Sequence, residues 1–175
     1  MTCPSAQAFH WCPDYDKAMA EFNRALAPNG RVVFIWNLEG TASFTLISPV
    51  MYLWADSATA WVHQLRQVVE AFEEGTPQYR LGLWRKTFQT PSYVKYFEPP
   101  EELTFTHIVT GSLQGVIDRA HSKSYIAIRP EETRMQISKD LKEIVERGDG
   151  KVWIDEKQGT FEYPYINTAI VMRKK

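Results

Sequence analysis

Ser5-Ala6-Gln7-Ala8-Phe9-His10-Trp11 and Arg31-Val32-Val33-Phe34-Ile35-Trp36-Asn37 are the two segments from which the fold is read. The first is a strand end that opens into polar and aromatic groups. The second is a continuous apolar run that stops on Asn37. Between them Asp14 follows Pro13 as an N-cap, and Tyr15, Met19, Phe22 and Leu26 recur at helical spacing. Pro28-Asn29-Gly30 ends that helix. A strand, helix and strand of this size form a right-handed crossover, with the two strands parallel in one sheet. Val32 to Trp36 is apolar at every position, the pattern of a strand covered on both faces. Ligands of such sheets bind beyond the carboxyl ends of the strands, the edge where His10, Trp11 and Asn37 emerge.

The rest of the chain adds helices and further strands. Leu38 to Val50 has no period and reads as a loop. Trp61, Leu65, Val68, Val69 and Phe72 mark a helix over Asp56 to Glu74, stopped by Gly75 and Pro77. Tyr79 to Phe88 reads as a short helix. Leu103, Phe105, His107 and Val109 alternate with threonines as a strand, which places His107 in the core. Gly111 to Ala120 reads as a short helix and Tyr125 to Ile128 as a connector. Pro130 suits a first helical turn, with Glu131 and Glu132 at the positive end of the dipole. Ile137, Leu141, Ile144 and Val145 give that helix its buried face, and Gly148 ends it. Lys151 to Asp155 and Phe161 to Tyr165 form a hairpin around Gly159, and Ile166 to Met172 closes the sheet. The expectation is a single α/β domain over residues 1–175, three-layered, with four or five strands.

Composition narrows the function classes. The chain has 175 residues and a net charge of -1, which gives no reason to expect a nucleic acid or a membrane surface as partner. Cys3 and Cys12 make neither a disulfide framework nor a metal quartet. No secretory segment and no long apolar span is present, so a cytoplasmic location is expected. Aromatic residues make up 13% of the chain, with six Trp, which fits either a ligand pocket, a subunit interface or an aromatic core.

Several blocks carry a family resemblance: AQAFHW at 6–11, EFNRALAPNGRVVFIWN at 21–37, AWVHQL at 60–65, TPQYRLGLWRKTF at 76–88 and DRAHSKSYIAI at 118–128. Together with the closing strand they resemble, in order, the later part of class I S-adenosylmethionine-dependent methyltransferases. The subgroup around trans-aconitate methyltransferase is the nearest. The resemblance implies a truncated Rossmann-like sheet equivalent to about strands 4 to 7. Such enzymes hold the cofactor with a glycine-rich loop after the first strand and an acidic residue after the second. Gly148-Asp149-Gly150 ends a helix rather than opening one, and Gly111 and Gly115 follow a strand without the tight pattern. No cofactor-binding residue is therefore expected, and S-adenosylmethionine only if a partner supplies the missing half.

His10 is the candidate catalytic residue, as acid or base near neutral pH, against a purely structural histidine. Gln7 is read as an orienting amide or a turn-bonding one, and Asn37 as a substrate contact or a strand-ending residue. Trp11 and Trp36 are aromatic walls or core packing. His63 and His121 have no metal partner at ligand spacing. Arg80, Arg85 and Lys86 around Trp84 receive an acidic substrate or form a solvated face. Three functions follow. The chain is a methyltransferase-like protein repurposed for acid–base chemistry on a small molecule (cyclisation, isomerisation or dehydration). It is one half of a methyltransferase completed by another chain. Or it is a non-catalytic partner of a methyltransferase. A homodimer is expected, through the N-terminal strand region and the apolar face that truncation exposes.

Overall fold

The structure is a computed structural model and describes residues 2–40 and 60–175. Its elements are β1 (Thr2–Ala6), α1 (Tyr15–Ala25), β2 (Arg31–Glu39), α2 (Ala60–Glu70), α3 (Pro91–Tyr96), β3 (Glu101–Ser112), α4 (Leu113–His121), α5 (Ser124–Ala127), α6 (Glu131–Arg147), β4 (Trp153–Asp155) and β5 (Thr160–Arg173). The fold is mixed α/β. The sheet runs β1-β2-β5-β3, and β4 pairs antiparallel with β5. β1 and β2 pair in parallel, in register from Thr2 opposite Arg31 to Ala6 opposite Ile35. The strand–helix–strand reading of the N-terminus therefore holds.

The chain divides into two compact units. The first holds the described residues of 1–37, 77–105 and 167–175. Its helix α1 starts where Asp14 accepts the Lys17 N–H, and Met19 is fully buried. Val32, Phe34 and Trp36 alternate into the core beside Phe9, Leu26, Trp84 and Met172. Val33 and Ile35 are only half-buried, so β2 has one core face rather than two. Tyr79 to Phe88, expected as one helix, forms 3-10 turns at Tyr79–Leu81 and Leu83–Gln89. Gly82 between them sits at φ 68°, which breaks the helix as a left-handed residue does. Thr90 then caps α3 with Pro91 in its first turn.

The second unit holds the described residues of 38–76 and 106–166. Its core joins Trp61, Leu65 and Val69 of α2 to Val116, Ile137, Leu141, Phe161 and Tyr163. Of the helix expected over Asp56 to Glu74, α2 covers Ala60–Glu70, and residues 56–59 lie outside the described residues. So do residues 41–50 of the loop expected over Leu38 to Val50, whose first two residues, Leu38 and Glu39, instead belong to β2. α6 buries Ile137, Leu141, Ile144 and Val145 and ends at Gly148, φ 62°, as its pattern dictates. Gly111 lies inside β3 rather than in a helix. A Cβ there would meet Phe161 Cε2 at 2.7 Å and Tyr163 Cβ at 2.9 Å, so the glycine admits aromatic packing from β5. The connector at Tyr125 is the single helical turn α5. Ile166 to Met172 is no separate strand, because β5 runs unbroken from Thr160 through Pro164 to Arg173.

His107 is not a core residue. β3 is exposed from Glu101 to Thr110, His107 included, because the strand stands at a margin of the sheet. Apolar alternation there lies on a strand that is not enclosed. Among the described residues no helix is long and apolar enough to cross a membrane.

Candidate functional site

At the carboxyl ends of β1 and β2, the chain turns sharply at Gln7, whose φ is 52°. The left-handed region costs an ordinary residue about 1–2 kcal/mol. Two hydrogen bonds hold it there. The Gln7 backbone N–H donates to Ile35 O at 2.8 Å, and its Nε2 donates to Asn37 O at 2.8 Å. The Gln7 amide thus ties the end of β1 to Asn37 of β2 across 30 residues of sequence rather than bonding within its own turn. A 3-10 turn, Phe9–Trp11, follows directly and carries His10.

His10 is buried, and its Nδ1 accepts the Trp36 indole N–H at 3.1 Å. An indole nitrogen only donates, so Nδ1 must be unprotonated and the neutral ring carries its proton on Nε2. Burial lowers the imidazole pKa further. This alters the expected acid–base role. Protonating the ring would set an Nδ1–H against the Trp36 N–H, while accepting a proton at Nε2 first requires the other tautomer. His10 is built to donate from Nε2.

The two tryptophans separate. Trp36 is 1% exposed, stacks on Tyr79 at 4.7 Å and packs on Trp84 at 4.4 Å, so it is core and not a pocket wall. Trp11 is 45% exposed, its ring 5.7 Å from His10. Asn37 is exposed but does not end the strand, because β2 runs on through Leu38 to Glu39. Gln7, His10, Trp11 and Asn37 therefore share one edge, and Trp36 backs it from inside. In the basic cluster, Arg85 makes a two-pronged pair with Glu102 at 2.7 and 2.9 Å and lies over the Trp84 ring at 4.6 Å. It is committed to its own chain.

The second unit holds a cluster that sequence reasoning missed. Glu39, with a side chain 3% exposed, meets Arg119 Nε at 3.0 Å and Lys123 Nζ at 3.3 Å. Burial pushes its carboxyl pKa up, but Lys123 and Arg119 outweigh burial and hold it below the ordinary value. These partners lie 80 and 84 residues away, so no local pattern announces them. A shallow depression of about 20 Å³, room for about one water molecule, is lined by Glu39, Arg119, Lys123 and Tyr163 among others.

Gly111 and Glu39 are both engaged within the chain. The glycine in closest contact within a strand, Gly111, is filled by Phe161 and Tyr163, and Gly148 closes a helix. Glu39, the last residue of β2, gives its oxygens to Arg119 and Lys123. Among the described residues no group of three or more His, Cys, Asp or Glu is placed to hold a metal ion.

No protein-family profile matches the sequence. Over 141 residues the chain is 23% identical to an uncharacterised methyltransferase-like protein of Schizosaccharomyces pombe, covering 79% of this chain and 46% of that protein. The chain thus spans about half the length of this curated relative. Among solved structures, a candidate methyltransferase from Bacillus halodurans C-125 aligns with 98% of this chain and 63% of its own, at 13% identity and TM-score 0.41. A phosphoethanolamine N-methyltransferase of Haemonchus contortus, in complex with phosphomonomethylethanolamine and S-adenosylhomocysteine, aligns with 97% of this chain and 32% of its own, at 13% identity and TM-score 0.32. In sequence, the chain is similar to a methyltransferase-like protein.

Proposed function

We propose that the chain supplies the substrate-facing side of a methyltransferase-like site, and that the cofactor-binding part comes from outside these 175 residues. One observation carries this reading: His10 is held neutral by Trp36, beside the Gln7 clamp, at the carboxyl edge of two parallel strands. A fixed Nε2–H donor positions a small molecule, and placing reactants accounts for much of what such a site contributes. Gln7 sets the edge, His10 donates, and Trp11 and Asn37 offer an aromatic face and an amide at the surface. This ranks above a repurposed acid–base enzyme, for which the Trp36 bond leaves His10 in the wrong protonation state.

The test is calorimetry with S-adenosylmethionine, on the chain alone and mixed with candidate cofactor-binding partners. Binding only in a mixture supports the reading. Binding by the chain alone overturns it. No binding in any mixture favours a non-catalytic partner protein.

A further inference from the structure

We infer that the edge formed by Gln7, His10, Trp11 and Asn37 takes an uncharged planar carbonyl compound, its oxygen on the His10 Nε2–H and its flat face on Trp11. This deepens the function proposed above and rests on its reading of the edge as substrate-facing.

His10 brings an unmatched donor to the edge. The residue is 6% exposed, and the Trp36 indole N–H occupies its Nδ1 at 3.1 Å. The proton on Nε2 has no acceptor among the described residues. Buried N–H groups are ordinarily paired, so one left open beside a ligand-binding edge is matched by solvent or by a ligand. The turn that presents this ring follows Gln7, whose φ of 52° is a strained backbone of the kind that clusters at ligand sites.

Charge sets the ligand class. The imidazole is neutral, because Trp36 blocks protonation of Nδ1 and burial lowers the pKa of the ring. Gln7 and Asn37 carry amides and Trp11 an indole, so all four groups are uncharged. The nearest acids in sequence are committed: Asp14 caps α1 and Asp16 accepts the Ser92 N–H. Arg85, over the Trp84 ring, is held by Glu102. A carboxylate or an ammonium placed on this edge would give up water without gaining an opposite charge. A carbonyl oxygen needs only the one donor. Trp11 is 45% exposed with its ring 5.7 Å from His10, which sets an open aromatic face beside that donor. Gln7 spends its Nε2 on Asn37 O and keeps Oε1 as an acceptor for a ligand N–H. Gln7, Trp11 and Asn37 are all exposed, so the ligand lies along an open edge and needs no enclosed cavity.

The probe is benzamide, with benzoate and benzylammonium as charged counterparts of similar shape. Each is titrated into the intact, isotope-labelled chain at neutral pH, and NMR follows the His10 ring nitrogens and the Trp11 indole N–H. Saturable shifts at both groups, with a dissociation constant of order 1 mM, are expected for benzamide, and binding at least tenfold weaker for either ion. His10→Asn sets an amide oxygen in the place of Nδ1, so Trp36 keeps an acceptor while the Nε2–H is removed. It should weaken benzamide at least tenfold and retain a cooperative melt. Trp11→Ala removes the exposed face and should weaken benzamide at least fivefold. If either variant fails to fold, the comparison of benzamide with the two ions on the unaltered chain decides. Absence of saturation by about 50 mM benzamide, either ion binding as tightly as benzamide, or a folded His10→Asn that binds benzamide undiminished would each overturn the proposal. None of these titrations contains S-adenosylmethionine. Cofactor binding by the chain alone would overturn the function proposed above, whereas failure of benzamide overturns the ligand class alone.

Discussion

Replacing Glu39 by Gln tests the buried cluster directly. The substitution keeps the shape of the side chain and removes its charge, leaving Arg119 and Lys123 facing each other. Breaking a fully buried ion pair costs about 3–5 kcal/mol, because the surviving charge is stranded. Here the survivors are 38% and 19% exposed and regain some water, and the Gln oxygen still accepts a hydrogen bond. A loss of about 2 kcal/mol is the corresponding expectation. For a chain of this size that lowers the melting temperature by about 4–8 °C. The pH dependence carries the sign. The folded carboxyl titrates below its unfolded value, so its stabilisation is whole above about pH 4.3 and is lost as the pH falls through the folded value. Thermal melts by circular dichroism should show the full gap between parent and variant at pH 7, narrowing below about pH 4. A variant melting within about 1 °C of the parent at pH 7, or a gap unchanged in acid, would refute the reasoning.

Three further outcomes are expected. His10→Ala should fold but lose about 1–3 kcal/mol in urea titrations, since the Trp36 N–H is left buried without an acceptor. Because burial lowers the His10 pKa, the unfolded chain takes up a proton first: the parent should lose stability as the pH falls through about 6.5, and His10→Ala should lack that component. Gly111→Ala should cost about 1–3 kcal/mol by the same measurement, because its Cβ would enter the Phe161 ring edge; an unchanged midpoint would contradict the packing. β1 stands at a margin of the sheet with exposed and half-buried residues, so we expect two copies to associate there. Light scattering should then give twice the 20.3 kDa chain mass, and the single-chain mass at all concentrations would refute it.

Local signals were legible in the sequence wherever they sufficed to set the structure. Asp14 with Tyr15, Met19 and Phe22 defined α1, and Gly148 the end of α6, because caps and periodicity act within a few residues. The parallel pairing of β1 with β2 was legible for the same reason: the crossover dictates which strand ends lie on one side. Roles that depend on distant partners were not. Trp36 was indistinguishable from a pocket wall until Tyr79, Trp84 and His10 were seen to enclose it. His107 alternated like a core residue, but alternation cannot reveal that a strand lies at the margin of a sheet. Glu39, the last residue of β2, has its partners 80 and 84 residues later. One local signal was available and passed over: Thr90-Pro91, a cap followed by a first-turn proline, opens α3.

The central claim is that this chain presents the substrate side of a methyltransferase-like site and does not hold the cofactor itself. Titrating S-adenosylmethionine into the purified chain, by calorimetry at pH 7, tests it most directly. The account predicts no saturable heat up to about 1 mM, since it places the cofactor-binding part outside these 175 residues. A saturable isotherm with a dissociation constant of order 1 μM for the chain alone would contradict it.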